Sequence, residues 1–258
     1  AGPRDWNPWI HIPVGYFKTM HNPSTDWCYM TEPCAGLNGR SIQWPRGKVL
    51  GGSSSINGQI YIRGQKEDFD HWRQLGNAGW AWDDVLPYFK RSEGFELGED
   101  EYHGGNGPLG VSPARARLEL CDKFIAAAAA TGIPTTSDFN GASQEGAGYI
   151  QQTTRNGLRC STAVGYLRPA KKRDNLTVIT GAHVERVLFE GKRATGVQFS
   201  VSGKSRQAQA GREVLMTSGA IGSPQILMLS GIGPASHLKD QGIDVVHDLK
   251  GVGHNLQD

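Results

Sequence analysis

The sequence is poor in the features that mark whole classes of protein. No apolar run reaches membrane-spanning length, and the start shows neither a basic segment followed by an apolar core nor a cleavage pattern. The four cysteines, Cys28, Cys34, Cys121 and Cys160, are scattered without a CxxC pair, so neither a zinc site nor a disulfide framework is expected. Free thiols suit a reducing compartment, and the expected location is cytoplasmic. Charge of one sign is also scarce: 27 Lys and Arg against 25 Asp and Glu leave a formal net charge of +2. The densest basic cluster, Lys171-Lys-Arg173, reads as a solvated loop, so no nucleic-acid partner is expected. Gly47-Lys48 is followed by valine, which excludes a P-loop, and there is no H-E-x-x-H helix and no G-x-S-x-G elbow. Gly105-Asn-Gly-Pro-Leu-Gly110 matches G-x-G-x-x-G as a string only. No strand precedes it and Pro108 stands where a helix should begin, so it reads as a turn before a short strand from Leu109 to Ser112.

Glycine is what the chain has in excess, 35 of 258 residues against a usual content of about 7%. The excess predicts tight turns and close approaches of backbone to a ligand. The most informative stretch is Pro45-Arg-Gly-Lys-Val-Leu-Gly-Gly-Ser-Ser-Ser-Ile-Asn-Gly58, where small residues would bring backbone N–H groups and hydroxyls to one side. Ser53 to Ser55 could cap a short helix there, whose N-terminus would favour phosphate.

With Arg46 before it and Asn57-Gly-Gln-Ile-Tyr-Ile-Arg63 after it, this stretch resembles the first signature of the glucose-methanol-choline (GMC) flavoprotein oxidoreductases. Ser218-Gly-Ala-Ile-Gly-Ser-Pro-Gln-Ile-Leu-Met-Leu-Ser-Gly-Ile-Gly233 resembles the second. The resemblance covers nearly the whole chain. It implies an α/β fold: an incomplete Rossmann-like FAD-binding core with an inserted β-meander and part of a substrate-side region. It also implies an FAD-dependent enzyme that oxidises an alcohol CH–OH group by hydride transfer to flavin, as dehydrogenase or oxidase, acting on a small-molecule alcohol. The electron acceptor, oxygen or a quinone, is left open. A hydroxynitrile lyase on the same scaffold and a non-catalytic flavin-binding fragment are the alternatives.

The cofactor contacts carried over by the resemblance are Ser53, Asn57, Gly58, Gln59 and Ile60 beside the flavin and its phosphates. Val49, Leu50, Gly51 and Gly52 shape the turn, and Val184 touches the adenine end unless it is an ordinary strand residue. Ser218 and Gly219 belong to the second signature, where Gly219 and Gly222 would let a strand-to-helix turn approach a pyrophosphate. Some relatives attach FAD through a histidine in the first loop; Ile56 stands there in this chain, so non-covalent FAD is expected. None of the eight histidines matches the family's catalytic base, so no catalytic residue and no metal ligand are assigned. Ala1-Gly2 resembles a pair that follows the second strand of the nucleotide-binding unit in the family, and the polar end lacks a closing helix. A chain truncated at both ends is therefore expected, marginally stable or prone to associate.

The expected organisation is a discontinuous, partial FAD-binding region over 1–258. It comprises a flavin-side loop and helices over about 40–170, a β-meander over about 175–210, and a nucleotide-side strand and helix over about 212–258. Residues 3–44 read as irregular coverage with a short hairpin near Trp27 to Glu32. Helices are expected from Gln65 to Leu75, Trp82 to Lys90 and Glu119 to Thr131, each with its own start or stop signal. Tyr149 to Thr154 should be a strand, and Arg155 to Thr162 a turn into a helix capped by Ser161 or Thr162. That turn resembles an Arg-x-Ser-Thr-Ala element of the family, which a helix cap explains equally well. The runs 176–180, 184–189, 194–201 and 212–217 are β-branched and apolar and read as strands, three of them forming the meander. Ser223 and Pro224 together signal a helix start.

Overall fold

The computed structural model describes residues 2–256 and divides into two compact units, Pro3–Val178 and a second made of Gly2 with the chain from Ile179 onward. The first unit opens with short helical turns, Pro8–His11 and Tyr16–Thr19. The Asn7 side chain caps the first turn by accepting from Trp9 N at 3.0 Å, with Pro8 in the position that needs no N–H. The expected local hairpin near Trp27 does not close on itself: β1 (Tyr29–Met30) pairs antiparallel with β2 (Gln43–Trp44) across a long loop. Buried Asp26 holds this region with no ion-pair partner among the described residues, accepting from the backbone N–H groups of His21, Cys28 and Arg46 at 2.8, 3.0 and 2.9 Å.

The helices form close to their expected limits because their end signals are local. Lys66–Gln74 begins where Asp68 accepts from Gln65 N at 2.8 Å, and Gly76 follows its end with φ of 99°. In Trp82–Ser92 the Asp84 carboxylate reaches back to Ala81 N in the same way. Their aromatic residues pack around Phe69, whose ring centroid lies 5.4, 5.8 and 5.6 Å from those of Trp72, Trp82 and Phe89; Phe69 and Trp82 are buried and Trp72 is exposed. β3 (Glu93–Phe95) runs parallel to β4 (Leu109–Val111), which confirms the turn-and-strand reading of the Gly105–Gly110 string. Glu119–Ala130 is helical as its alanine run predicts, yet it buries no residue.

Of the expected strand from Tyr149 to Thr154, only its last residue enters a strand; before it, Gln152 forms isolated bridges with Ile60 and with Ser112. A hairpin follows: β5 (Thr154–Arg155) and β6 (Leu158–Arg159) are joined by Asn156-Gly157, both at positive φ as a type I′ turn requires. The next helix starts as a π-turn, Ala163–Leu167, and continues through Arg168–Ala170; Ser161 Oγ accepts from Val164 N at 3.3 Å.

In the second unit β7 (Ala182–Glu190), β8 (Arg193–Val201) and β9 (Lys204–Gln209) form an antiparallel meander. Its third strand is the polar Lys204–Gln209 segment. The apolar runs 176–180 and 212–217 are not strands. Propensity alone does not make a ladder, and neither run pairs with another strand among the described residues. The helix within the second signature begins at Gly219 rather than after Ser223, and runs to Leu229 with Pro224 inside it. The Ser223 hydroxyl instead accepts from Ser218 N at 3.1 Å. Ser230 links this helix to β7 by donating to Ile226 O and accepting from Val187 N at 2.8 Å. A small parallel pair, β10 (Ile232–Gly233) and β11 (His247–Asp248), encloses the helix Ala235–Asp240, whose Leu238 is fully buried.

Candidate functional site

The Gly/Ser loop is built from the inside out. Ile10, Val49 and Ile56 form a small buried cluster with Met20 against it, so the apolar side chains of the loop point into the first unit and leave its backbone outward. Gly47 is required because a Cβ there would overlap the backbone of Gly52 and Ser53. At Gly51 φ is +90° and a Cβ would strike Ser55 Oγ. Gly52–Ser55 forms a single 3-10 turn, too short to act as the phosphate-favouring helix that the three serines suggest.

Their hydroxyls are mostly spent within the protein. Ser53 Oγ accepts from Gly47 N at 3.1 Å, Ser54 Oγ donates to Gly51 O at 2.6 Å and accepts from Thr162 N at 2.9 Å, and Ser55 Oγ donates to Leu50 O at 2.8 Å. The loop therefore offers a ligand backbone and small exposed positions more than free hydroxyl groups. Ser53, Asn57, Gly58 and Ile60 are exposed, whereas Val49, Leu50 and Gln59 are buried and Gly51 and Gly52 lie between. A Cβ on Gly58 would meet nothing within 4 Å, so the outer side of the strip is open.

The exit of the loop is held from behind. Gln59 is 2% exposed with φ of 65°, and its carbonyl accepts from Thr153 N at 2.8 Å. Its side-chain Nε2 is buried without a hydrogen-bond partner among the described residues. Tyr61 N donates to Gln151 O at 2.9 Å, and Asn140 bridges the next residues by accepting from Arg63 N at 2.8 Å and donating to Tyr61 O at 3.1 Å. An apolar cleft of about 490 Å³ lies beside Ile60, lined also by Leu120, Phe124, Ile125, Tyr149 and Ile150.

Beneath Arg63 lies a group of four charges, with Arg63, Glu93 and His103 buried and Asp138 half-buried. Arg63 Nη2 donates to Glu93 Oε2 at 2.7 Å, and His103 Nδ1 lies 3.0 Å from Glu93 Oε1. His103 Nε2 lies 2.9 Å from Asp138 Oδ2. Ionised carboxylates only accept, so both ring nitrogens must carry protons and the histidine is an imidazolium. Burial alone would lower its pKa, but the hydrogen bonds to Asp138 and Glu93 outweigh it and raise the value to about 9. Burial likewise opposes ionisation of Asp138, and its bonds from His103, Asn140 N and Gln151 prevail and lower its pKa. Two cations and two anions cancel, which makes burial of the set tolerable. Held at both nitrogens, His103 is unsuited to act as a base. None of Glu93, His103 or Asp138 stands out in the sequence, since they are far apart along the chain and match no motif.

The remaining predicted contacts lie in the second unit. Val184 is half-buried in β7, opposite Phe199 of β8 and next to a bulge between Val184 and Arg186. Ser218 and Gly219 are exposed at the start of the helix Gly219–Leu229, with φ of +81° at Gly219. Among the described residues no group of three or more His, Cys, Asp or Glu could hold a metal ion, and no helix is long and apolar enough to cross a membrane. All four cysteines are free.

Comparison with known proteins gives these features a context. The chain is 47% identical over its whole length to an oxygen-dependent choline dehydrogenase of Rhizobium johnstonii, of which it covers 47%. Its structure is similar to that of pyridoxine 4-oxidase from Mesorbium loti, with a TM-score of 0.95 and 35% identity over the whole chain and 51% of that protein. It is also similar to an FAD-dependent oxidoreductase from Chaetomium thermophilum, with a TM-score of 0.91 and 33% identity over the whole chain and 47% of that protein. The chain thus spans about half the length of the relatives it matches. The family model of the GMC oxidoreductases matches residues 16–258, and with both signatures folded as described, the chain belongs to that family.

Proposed function

We propose that this chain supplies part of the FAD site of an enzyme that oxidises the CH–OH group of a small alcohol. The observation that carries the reading is the outward strip of the first signature, Ser53, Asn57, Gly58 and Ile60, on a backbone that two glycines let fold tightly. Such a surface fits a flat, partly polar group lying close to main chain. Bound FAD would accept the hydride leaving the carbinol carbon.

The protein residues would do the rest. Ser53, Asn57, Gly58 and Ile60 would meet the cofactor directly, while Val49 and Leu50 anchor the loop from its apolar side and Gly51 and Gly52 set its path. Gln59 would act from behind. Within the second unit, Val184, Ser218 and Gly219 are the residues that the resemblance offers for contact with the cofactor. Ile56, buried in the core, offers no atom for a covalent link, which supports non-covalent FAD. The family relatives are named for choline and pyridoxine, both of which carry a primary alcohol, so primary alcohols are the substrate class to try first.

The test is the visible spectrum of the full gene product, purified with FAD and freed of excess, before and after anaerobic addition of choline, pyridoxine and simple primary alcohols. A yellow protein bleached by at least one of them is the expected result. A colourless protein removes the cofactor assignment. A yellow protein that no alcohol bleaches but that cleaves a hydroxynitrile replaces oxidation with lyase chemistry.

A further inference from the structure

Arg159 is remote in sequence from the Gly/Ser loop but is built into it. It ends β6, is 2% exposed, and spends its guanidinium on four hydrogen bonds. Nε donates to Ile10 O at 2.7 Å, Nη1 to Ser54 O at 3.0 Å and to Asn57 Oδ1 at 2.7 Å, and Nη2 to Asn57 O at 2.8 Å. Three of these four acceptors lie in the loop. The planar fork spans them at once, which a lysine ammonium on a single point cannot do.

Its charge is also unusual. None of the ion pairs among the described residues includes Arg159, in contrast to Arg63, which has the Glu93 carboxylate. Burial lowers its pKa only to about 10, so the side chain stays cationic at neutral pH. Carbonyl dipoles satisfy its donors without cancelling the unit charge.

We propose that Arg159 is a positioning residue for the flavin: it holds Ser54 to Asn57 in their binding form before FAD arrives and leaves an unneutralised positive charge behind them. This rests on the reading of the loop as an FAD site. Holding the loop in advance lowers the ordering cost of binding. A fixed cation in a buried setting favours the reduced flavin, which carries the added electrons.

The experiment compares the full gene product with its Arg159→Lys and Arg159→Gln variants in three measurements: FAD dissociation constant, midpoint potential of the bound flavin, and amide hydrogen exchange of the FAD-free protein. Arg159→Gln should weaken FAD binding roughly tenfold or more, given the charged hydrogen bonds lost, and lower the potential. Arg159→Lys should weaken binding while keeping the potential near that of the wild type, a split that simple loss of packing does not produce. In the FAD-free wild type the Ile56 and Asn57 amides, which donate to Ser53 O at 3.1 and 2.9 Å, should already be protected. Unchanged affinity and potential in Arg159→Gln overturn the proposal, and unchanged potential alone overturns its electrostatic part. Exchange of these two amides at the rate of an unfolded chain in the FAD-free wild type overturns the positioning part, and this holds even if neither variant folds. If the wild type takes up no FAD, the cofactor reading falls, while the exchange result still judges whether Arg159 orders the loop.

Discussion

At the scale of single residues, the buried charges around His103 have the most direct consequence in solution. The pKa of His103 rises from the ordinary 6.5 to about 9 on folding. Its contribution to stability is therefore complete below about pH 6.5 and is lost as pH rises through about 9. Asp138 has the opposite sign: its pKa is lowered from 3.8, so its contribution is complete above that value and is lost on acidification. A pKa displacement of this size in His103 corresponds to on the order of 3 kcal/mol. The melting temperature should thus fall between about pH 6.5 and 9, and the His103→Gln variant should melt lower at pH 6 with that alkaline slope removed. Calorimetry across this range checks it, and an equal slope in the variant would assign the pH dependence to other groups.

Among the elements, two of the hairpin turns show how backbone conformation selects residues. Asn156-Gly157 already has the composition that a type I′ turn favours. The turn from β8 to β9 has the same pattern of positive φ, 51° at Ser202 and 75° at Gly203, but carries serine at the first position. Asparagine tolerates that conformation better than serine. Ser202→Asn should stabilise the meander by a few tenths of a kcal/mol, whereas Gly203→Ala should destabilise it by about 1 kcal/mol. Urea denaturation of the two variants decides this; a destabilised Ser202→Asn would mean that the serine has a role beyond the turn. The helix Glu119–Ala130 carries a different message, since its sequence makes it helical but its burial does not hold it. Leu120 is 78% and Phe124 71% exposed, on the rim of the apolar cleft beside Ile60.

For the whole molecule the relevant quantity is surface. Several large apolar side chains face solvent, with Trp6, Phe17, Leu120, Phe124 and Leu215 each more than 60% exposed. Large apolar areas in water drive association. The 258-residue chain produced by itself should elute from size exclusion as oligomers or aggregates and bind a hydrophobic dye strongly. A monodisperse monomer by light scattering would contradict this.

The sequence by itself determined whatever depends on a few neighbouring residues. The helix starts near Gln65 and Trp82, the close glycine turn at 47–52 and the rejection of the Gly105–Gly110 string were all legible, because caps, positive φ and proline act within one turn of chain, whereas the span Arg155 to Thr162, expected as a single turn into a helix, contains the β5–β6 hairpin. So was the family, carried by two long signatures. Tertiary structure alone decided which apolar runs became strands, since a ladder needs a partner and the runs 176–180 and 212–217 have none among the described residues. It also moved the start of the helix Gly219–Leu229 away from Ser223 and turned the serine hydroxyls of the loop inward. Most of all it brought Arg63, Glu93, His103 and Asp138 together, and set Arg159 under Asn57. A buried charge is stable only where distant parts of the chain deliver its counter-charge or its carbonyls, and that meeting is a property of packing that no local pattern records.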